Sequence, residues 1–236
     1  VRGPSTRQKA IRILRYVLMA ALIGGTAACI TLWLIFQHKP AWYRPAPTDP
    51  EALRDIRMKV TEIADGISRR IVAGEAFELS FADETVTEWL AALPHVWPDA
   101  AQAIPAQLSE HVVCFEPGAV RIGTLYADGG WRAVLSAAVE IDMSVDNREI
   151  TLKLREAHGG SLPIPAAILH RLLANLDADS KESPSQRHGS GLDDPTSLLA
   201  GTAVPNRFVW PNGKRPFRIN QLELTKGRIR LTIEPL

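Results

Sequence analysis

Hydrophobic positions along the chain follow three patterns. The first is an unbroken run, Tyr16 to Phe36 (YVLMAALIGGTAACITLWLIF), with no charge and no proline. At about 1.5 Å per residue it reaches roughly 30 Å, the thickness of a bilayer's hydrocarbon core, and predicts a single transmembrane helix.

The second pattern has the helical period. Leu53, Ile56, Val60, Ile63, Ile67 and Ile71 recur at three- and four-residue steps. Asp49 is placed to cap this helix, Pro50 suits its first position, and Gly74 suits its end. A second helix opens at Ala82-Asp83-Glu84 and carries Val86, Trp89, Leu90 and Leu93 as far as Pro94, and Pro98 to Leu108 suggests a further short piece. A third helix is expected over Ala166 to Leu176, with Ile168, Leu169, Leu172, Leu173 and Leu176 forming its stripe.

The third pattern is alternation, the mark of a strand with one buried face. It appears in Phe77–Phe81 and Ala119–Tyr126, and Val112–Phe115 adds a short apolar run. It is clearest in Trp131–Val145, where Trp131, Ala133, Leu135, Ala137, Val139, Ile141, Met143 and Val145 share one parity. Asp146-Asn147 suits a two-residue hairpin turn into a return strand with Ile150, Leu152 and Leu154 on one face. A strand from Trp131 to Val145 is long enough to expect bending or a bulge. Val204–Trp210 is strand-like, and Phe217 and Ile219 change parity to Leu222 and Leu224, predicting a bulge near Asn220-Gln221. Lys226-Gly227 then turns the chain into Ile229, Leu231 and Ile233.

These elements predict an α+β architecture: one N-terminal transmembrane helix, then a long curved antiparallel sheet packed on helices. The expected divisions are a basic cytoplasmic tail over 1–15, the span over 16–36 and a Pro-rich spacer over 37–50. An extracytoplasmic α+β domain follows over 51–176 and 204–236, interrupted by a disordered insertion over 177–203 that is polar and poor in large apolar side chains.

Charge gives the span a direction. Arg2, Arg7, Lys9, Arg12 and Arg15 precede it with no acid among them. Removing those five from the 27 basic residues of the chain leaves 22 against 26 acids, so the remainder is mildly acidic. Positive residues stay on the cytoplasmic side, which places the N-terminal side inside and residues 37–236 outside. A mildly acidic domain argues against a nucleic-acid partner. The length of the run and the continuation ITLWLIF favour an anchor over a cleaved signal peptide. The same continuation argues against lipidation at Cys29, although Thr26-Ala27-Ala28-Cys29 loosely matches a lipobox. Trp33, Trp42 and Tyr43 read as interfacial anchors. Ala20, Gly24 and Ala28 form a small-residue stripe of the kind that lets two spans approach, and such stripes also arise by chance.

Chemistry is sparse. Nucleophile elbows, phosphate-binding glycine loops and zinc signatures are absent from the sequence. Gly189-Ser190-Gly191 lacks the spacing of an elbow, and the six histidines are scattered. Asp142, Asp146 and Glu149 flank one hairpin and read as a solvated face. Cys29 and Cys114 lie too far apart in the predicted topology to pair. The expectation is a non-enzymatic protein with no cofactor and no metal. Trp131, Phe208 and Trp210 are aromatics on predicted strands, and core packing explains them in the plain reading. The sharper reading has them line an apolar groove with Leu135, Val139, Ile141 and Leu152, a shape suited to an acyl chain. The partners expected are the lipid bilayer and either a lipid ligand or envelope proteins, the latter if the domain is an anchored scaffold.

Four stretches carry a family resemblance: FELSFADETVTEWLAAL (77–93), VRIGTLYADGGWRAVLSAAVEI (120–141), GGSLPIPAAILHRLL (159–173) and RINQLELTKGRIRLTI (218–233). In this order, behind a basic stretch and one span, the chain resembles the YpmS-type bacterial single-pass membrane proteins. The resemblance implies a bacterial inner-membrane anchor with an extracytoplasmic domain, and it brings no catalytic residues. More distantly, the order of helix and long strands is similar to tubular lipid-binding domains, a likeness of fold only.

Overall fold

The computed structural model describes residues 6–47, 49–101, 104–165, 167–168, 201–210 and 215–236. The protein is α+β, with one N-terminal apolar helix followed by antiparallel sheet packed with helices. Helix α1 spans Thr6–Gln37, and its Arg15–Gln37 stretch is long and apolar enough to cross a membrane, with none of its most apolar window buried.

Helix α2 (Pro50–Ala73) forms as its sequence requires. The Asp49 carboxylate accepts from the Ala52 N–H, Pro50 opens the first turn, and Gly74 closes the last one at φ 79°. Its buried stripe is Ile56, Val60, Ala64, Ile67 and Ile71, which packs on helix α3 (Asp83–Val96) and on the C-terminal strand. Pro94 does not stop α3, which continues to Val96. A proline this close to the end removes a single intrahelical N–H, and the Trp97 N–H still closes on the Leu93 carbonyl at 2.9 Å. A short helix α4 (Pro98–Ala101) follows.

The strands divide between two sheets instead of joining one. Strands β1 (Phe77–Ala82), β8 (Phe208–Val209), β9 (Pro216–Thr225) and β10 (Arg228–Pro235) form the first, in the order β1-β10-β9-β8. Strands β2 (Leu108–Glu116), β3 (Ala119–Asp128), β4 (Trp131–Met143), β5 (Glu149–Gly159) and β6 (Leu162–Pro163) form the second. Strand β7 (Thr202–Pro205) pairs with the other end of β5, so the open edge of the meander is covered and the C-terminal hairpin pairs with β1 instead. The sequence reading placed residues 202 and 203 in an insertion; here they are strand. Of the rest of that insertion Gly201 is described and 177–200 lie outside the described residues, as does the predicted third helix apart from 167–168.

The expected bulge in β9 is present: Thr232 opposes Gln221 and Ile233 opposes Ile219, leaving Asn220 as the extra residue. A second bulge falls in β5, where Arg155 is passed over between Ala138↔Glu156 and Val139↔Leu154. The β4–β5 connection is longer than a two-residue turn. It runs over 144–148, with Asn147 at φ 54° and the Ser144 hydroxyl accepting from the Arg148 and Glu149 N–H groups. Those side-chain bonds satisfy backbone donors that a tighter turn would have paired within the ladder.

The proline-rich stretch after α1 packs on the β2–β6 sheet. Tyr43 is 6% exposed in a cluster with Val112, Leu125 and Val134, and Trp42 packs beside it. The Tyr43 hydroxyl donates to the Glu110 carbonyl, which the left-handed backbone at Glu110 (φ 51°) presents from the bulge in β2. Tyr43 is therefore part of the domain's core, with Trp42 packed beside it.

Candidate functional site

Between the two sheets, roofed by α2 and α3, lies a cavity of about 620 Å³. Its walls follow from alternation and register. Phe77, Leu79 and Phe81 of β1 stand opposite Ile233, Leu231 and Ile229 of β10. On the other side of β10, Leu224 opposes Ile229 and Leu222 opposes Leu231. Continued without interruption, that register would bring Asn220 and Arg218 onto the apolar face. The bulge at Asn220 shifts the parity, so Ile219 and Phe217 face inward while Arg218 and Asn220 turn out to bind the Glu234 carboxylate at 2.7 and 2.8 Å. Arg218, with Asn220, holds the Glu234 carboxyl below the usual carboxylate range.

The facing wall comes from the other sheet. Val113 and Phe115 of β2 pair across Ile122 and Val120 of β3, and all four line the cavity. Helix α3 supplies Val86, Trp89 and Leu90, α2 supplies Ile67, and Phe208, Val209 and Trp210 complete the wall. Among the described residues no titratable side chain lines it. The indole N–H groups of Trp89 and Trp210, two of the lining residues, are buried and without a partner. Edge contacts join Phe81, Trp89, Trp97 and Trp210 into one aromatic chain, with ring centroids 5.1, 6.5 and 6.4 Å apart.

The structure brings together only part of the groove expected from sequence. Phe208 and Trp210 are on the wall. Ile141 packs against the adjoining cluster of Val113, Phe115, Val120 and Leu224. Leu135, Val139 and Leu152 are half-buried on the same sheet face, since Val139 opposes Val120 and Ile141 opposes Leu152, yet they lie to the side of the cavity. Trp131 is elsewhere altogether: it is 54% exposed and meets Trp33 of α1 edge-on. The cavity is a space between sheets, so its other wall is β1, β9 and β10, whose alternation was legible but whose partner face was not.

The opposite face of the β2–β6 sheet, covered in part by Trp42 and Tyr43, also carries an ion-pair cluster. Arg121 is held between Glu116, at 2.6 Å, and Glu156, with the Trp42 ring over its guanidinium. The hydrogen bond to Glu116 raises the Arg121 pKa, and Arg121 in turn holds the Glu156 carboxyl below its ordinary value. With its charge matched on both sides, this cluster fixes β2, β3 and β5 to one another. Among the described residues no group of three His, Cys, Asp or Glu side chains is placed to hold a metal ion. Asp146 accepts from the Ser144 hydroxyl at 2.8 Å and serves the β4–β5 turn.

No family model, curated protein or solved structure matches the chain. An apolar, partly open space of this kind is suited to holding an apolar ligand.

Proposed function

We propose that this is a membrane-anchored, non-enzymatic extracytoplasmic protein that takes up the acyl chain of a lipid, or a similar apolar ligand, between its two sheets. The carrying observation is the cavity of about 620 Å³ walled by apolar side chains, in a domain joined directly to an apolar helix of membrane-spanning length. Its size falls within the roughly 300–1,000 Å³ typical of small-molecule sites. The basic residues before α1 support an orientation with the domain outside, and the resemblance to bacterial single-pass proteins supports an inner-membrane location.

The test uses the full chain in vesicles of phosphatidylcholine carrying a diazirine at the end of one acyl chain. After illumination, adducts are expected on peptides containing Val113–Ile122 and Phe208–Trp210, besides those on α1. Val120→Trp fills the space and is expected to remove the domain adducts while leaving the α1 adducts intact. Adducts confined to α1 in both proteins would overturn the proposal.

A further inference from the structure

The β3–β4 turn places an exposed tryptophan against the apolar helix. Trp131 opens β4, and its ring meets that of Trp33 edge-on with centroids 4.5 Å apart. Trp33 lies four residues before the end of α1, about 6 Å along the axis, and inside the apolar Arg15–Gln37 stretch. Other contacts hold the two parts together. The Ser161 N–H donates to the Ile35 carbonyl at 3.0 Å, and His38 Nδ1 is 2.7 Å from Ser161 Oγ. Gly159 and Gly160 sit so close to Phe36 that a Cβ on either would collide with its ring or its carbonyl. The turn is therefore fixed beside the last turn of α1 and does not hang from a free linker.

The composition of the turn fits that place. Asp128, Gly129, Gly130 and Arg132 are exposed, and Arg132 borders a concavity with Lys39, Gln37 and Glu110. A tryptophan at the tip with cations beside it is the pattern of groups that partition to the boundary between acyl chains and headgroups. Arg132 and Lys39 are positioned for lipid phosphates. We propose that the β3–β4 turn is seated in the headgroup layer of the bilayer, with Trp131 at the depth of Trp33, so that the domain stands on the membrane at two points. The proposal rests on the reading of α1 as an anchor. Its consequence is that the cavity keeps one orientation to the bilayer surface.

Three single-cysteine forms of the full chain in phosphatidylcholine vesicles test it, each labelled with the fluorophore NBD and quenched by lipids with a nitroxide high or low on the acyl chain. The first keeps native Cys29 with Cys114→Ser; the second carries Asp128→Cys and the third Val145→Cys, both with Cys29→Ser and Cys114→Ser. Val145 lies just beyond the far end of β4, about 40 Å along the strand from the turn. The expected result is at least two-fold quenching of Cys29 by the deep nitroxide, comparable quenching of position 128 by the shallow one, and none at 145. Position 128 as unquenched as 145, with Cys29 quenched, overturns the seat and leaves the anchor standing. Quenching at both 128 and 145 overturns it too, since the domain would then lie flat. An unquenched Cys29 overturns the anchor reading, and the seat with it.

Discussion

One face of the β2–β6 sheet buries Tyr43 to 6% exposure, while on the other Ile122 keeps 44% of its surface exposed beside a cavity of about 620 Å³. Both faces belong to the same strands, and alternate residues make the difference. The first face presents Gly123, Ser136 and Ala138, small enough for the Trp42-Tyr43 segment to lie on them; a Cβ at Gly123 would strike the Trp42 ring. The second presents Val120, Ile122, Leu135 and Val139, branched side chains that hold the other sheet and the helices apart. The Trp42-Tyr43 segment closes the first face, with Tyr43 against Val112, Leu125 and Val134, while the second is left beside the cavity. The following substitutions probe the contrast between the closed face and the open one.

The largest effect is expected where the closed face is opened. Tyr43→Ala removes a buried ring and leaves a cavity, and is expected to lower stability by about 3–5 kcal/mol in urea unfolding of the full chain in mild detergent. Tyr43→Phe keeps the ring and frees the Glu110 carbonyl, so about 1 kcal/mol is expected. Equal losses for the two would mean that the hydroxyl, and not the packing, closes this face.

Gly160→Ala comes next. The residue has φ 60°, and its added methyl would meet the Phe36 carbonyl, so the join between α1 and the sheet must give way. A loss of about 2–3 kcal/mol is expected. An unchanged unfolding midpoint would show that the join contributes nothing to the closed face.

Smaller still is the direct contrast between faces. Val134 is 1% exposed on the closed side, and Val134→Ala is expected to cost about 2 kcal/mol. Ile122→Ala, on the open side, is expected to cost less than about 1 kcal/mol even though it deletes more carbon. It is also expected to lower the yield of acyl-chain adducts in the domain, because it removes wall. The reverse order of stabilities would mean that the cavity is collapsed in solution.

These contrasts also mark what the sequence could tell. Helix α2 was legible from end to end because its signals are local: the Asp49 cap, Pro50, the Ile56–Ile71 stripe and Gly74. The Asn220 bulge was legible because a change of parity is written in adjacent residues. Pairing was not. Alternation tells which residues share a face and is silent about which strand lies alongside, and β1 meets β10 from opposite ends of the domain, Phe77 against Ile233. Most of the cavity wall was not legible, Phe208 and Trp210 being the lining residues expected on it, and Trp131, expected beside them, meets Trp33 outside the domain. Tyr43 followed an apolar run and so looked like a bilayer anchor, when the glycine that makes room for that segment is at 123.

The smallest effect expected is on pH dependence, and it separates the faces by charge. Glu156, on the closed side, has its pKa lowered by Arg121, so the folded state binds its proton less readily than the unfolded chain. The stability it contributes is complete above the ordinary glutamate value of about 4.3 and is lost as the pH falls through its folded value. His111, in β2, has its pKa lowered by burial, and the same sign applies: stability declines as the pH falls below about 6.5, where the unfolded imidazole takes up a proton more readily. The urea midpoint is therefore expected to fall in two stages, the first below about pH 6.5 and the second below about pH 4.3. His111→Gln is expected to flatten the first stage and Glu156→Gln to reduce the second, to which the Glu234 carboxyl held by Arg218 also contributes. The described wall of the cavity carries no titratable side chain, so acyl-chain adducts there are expected to stay constant from pH 7 to 5.5 while the midpoint moves. Adduct yield that tracked the midpoint would couple the two faces and break the division between them.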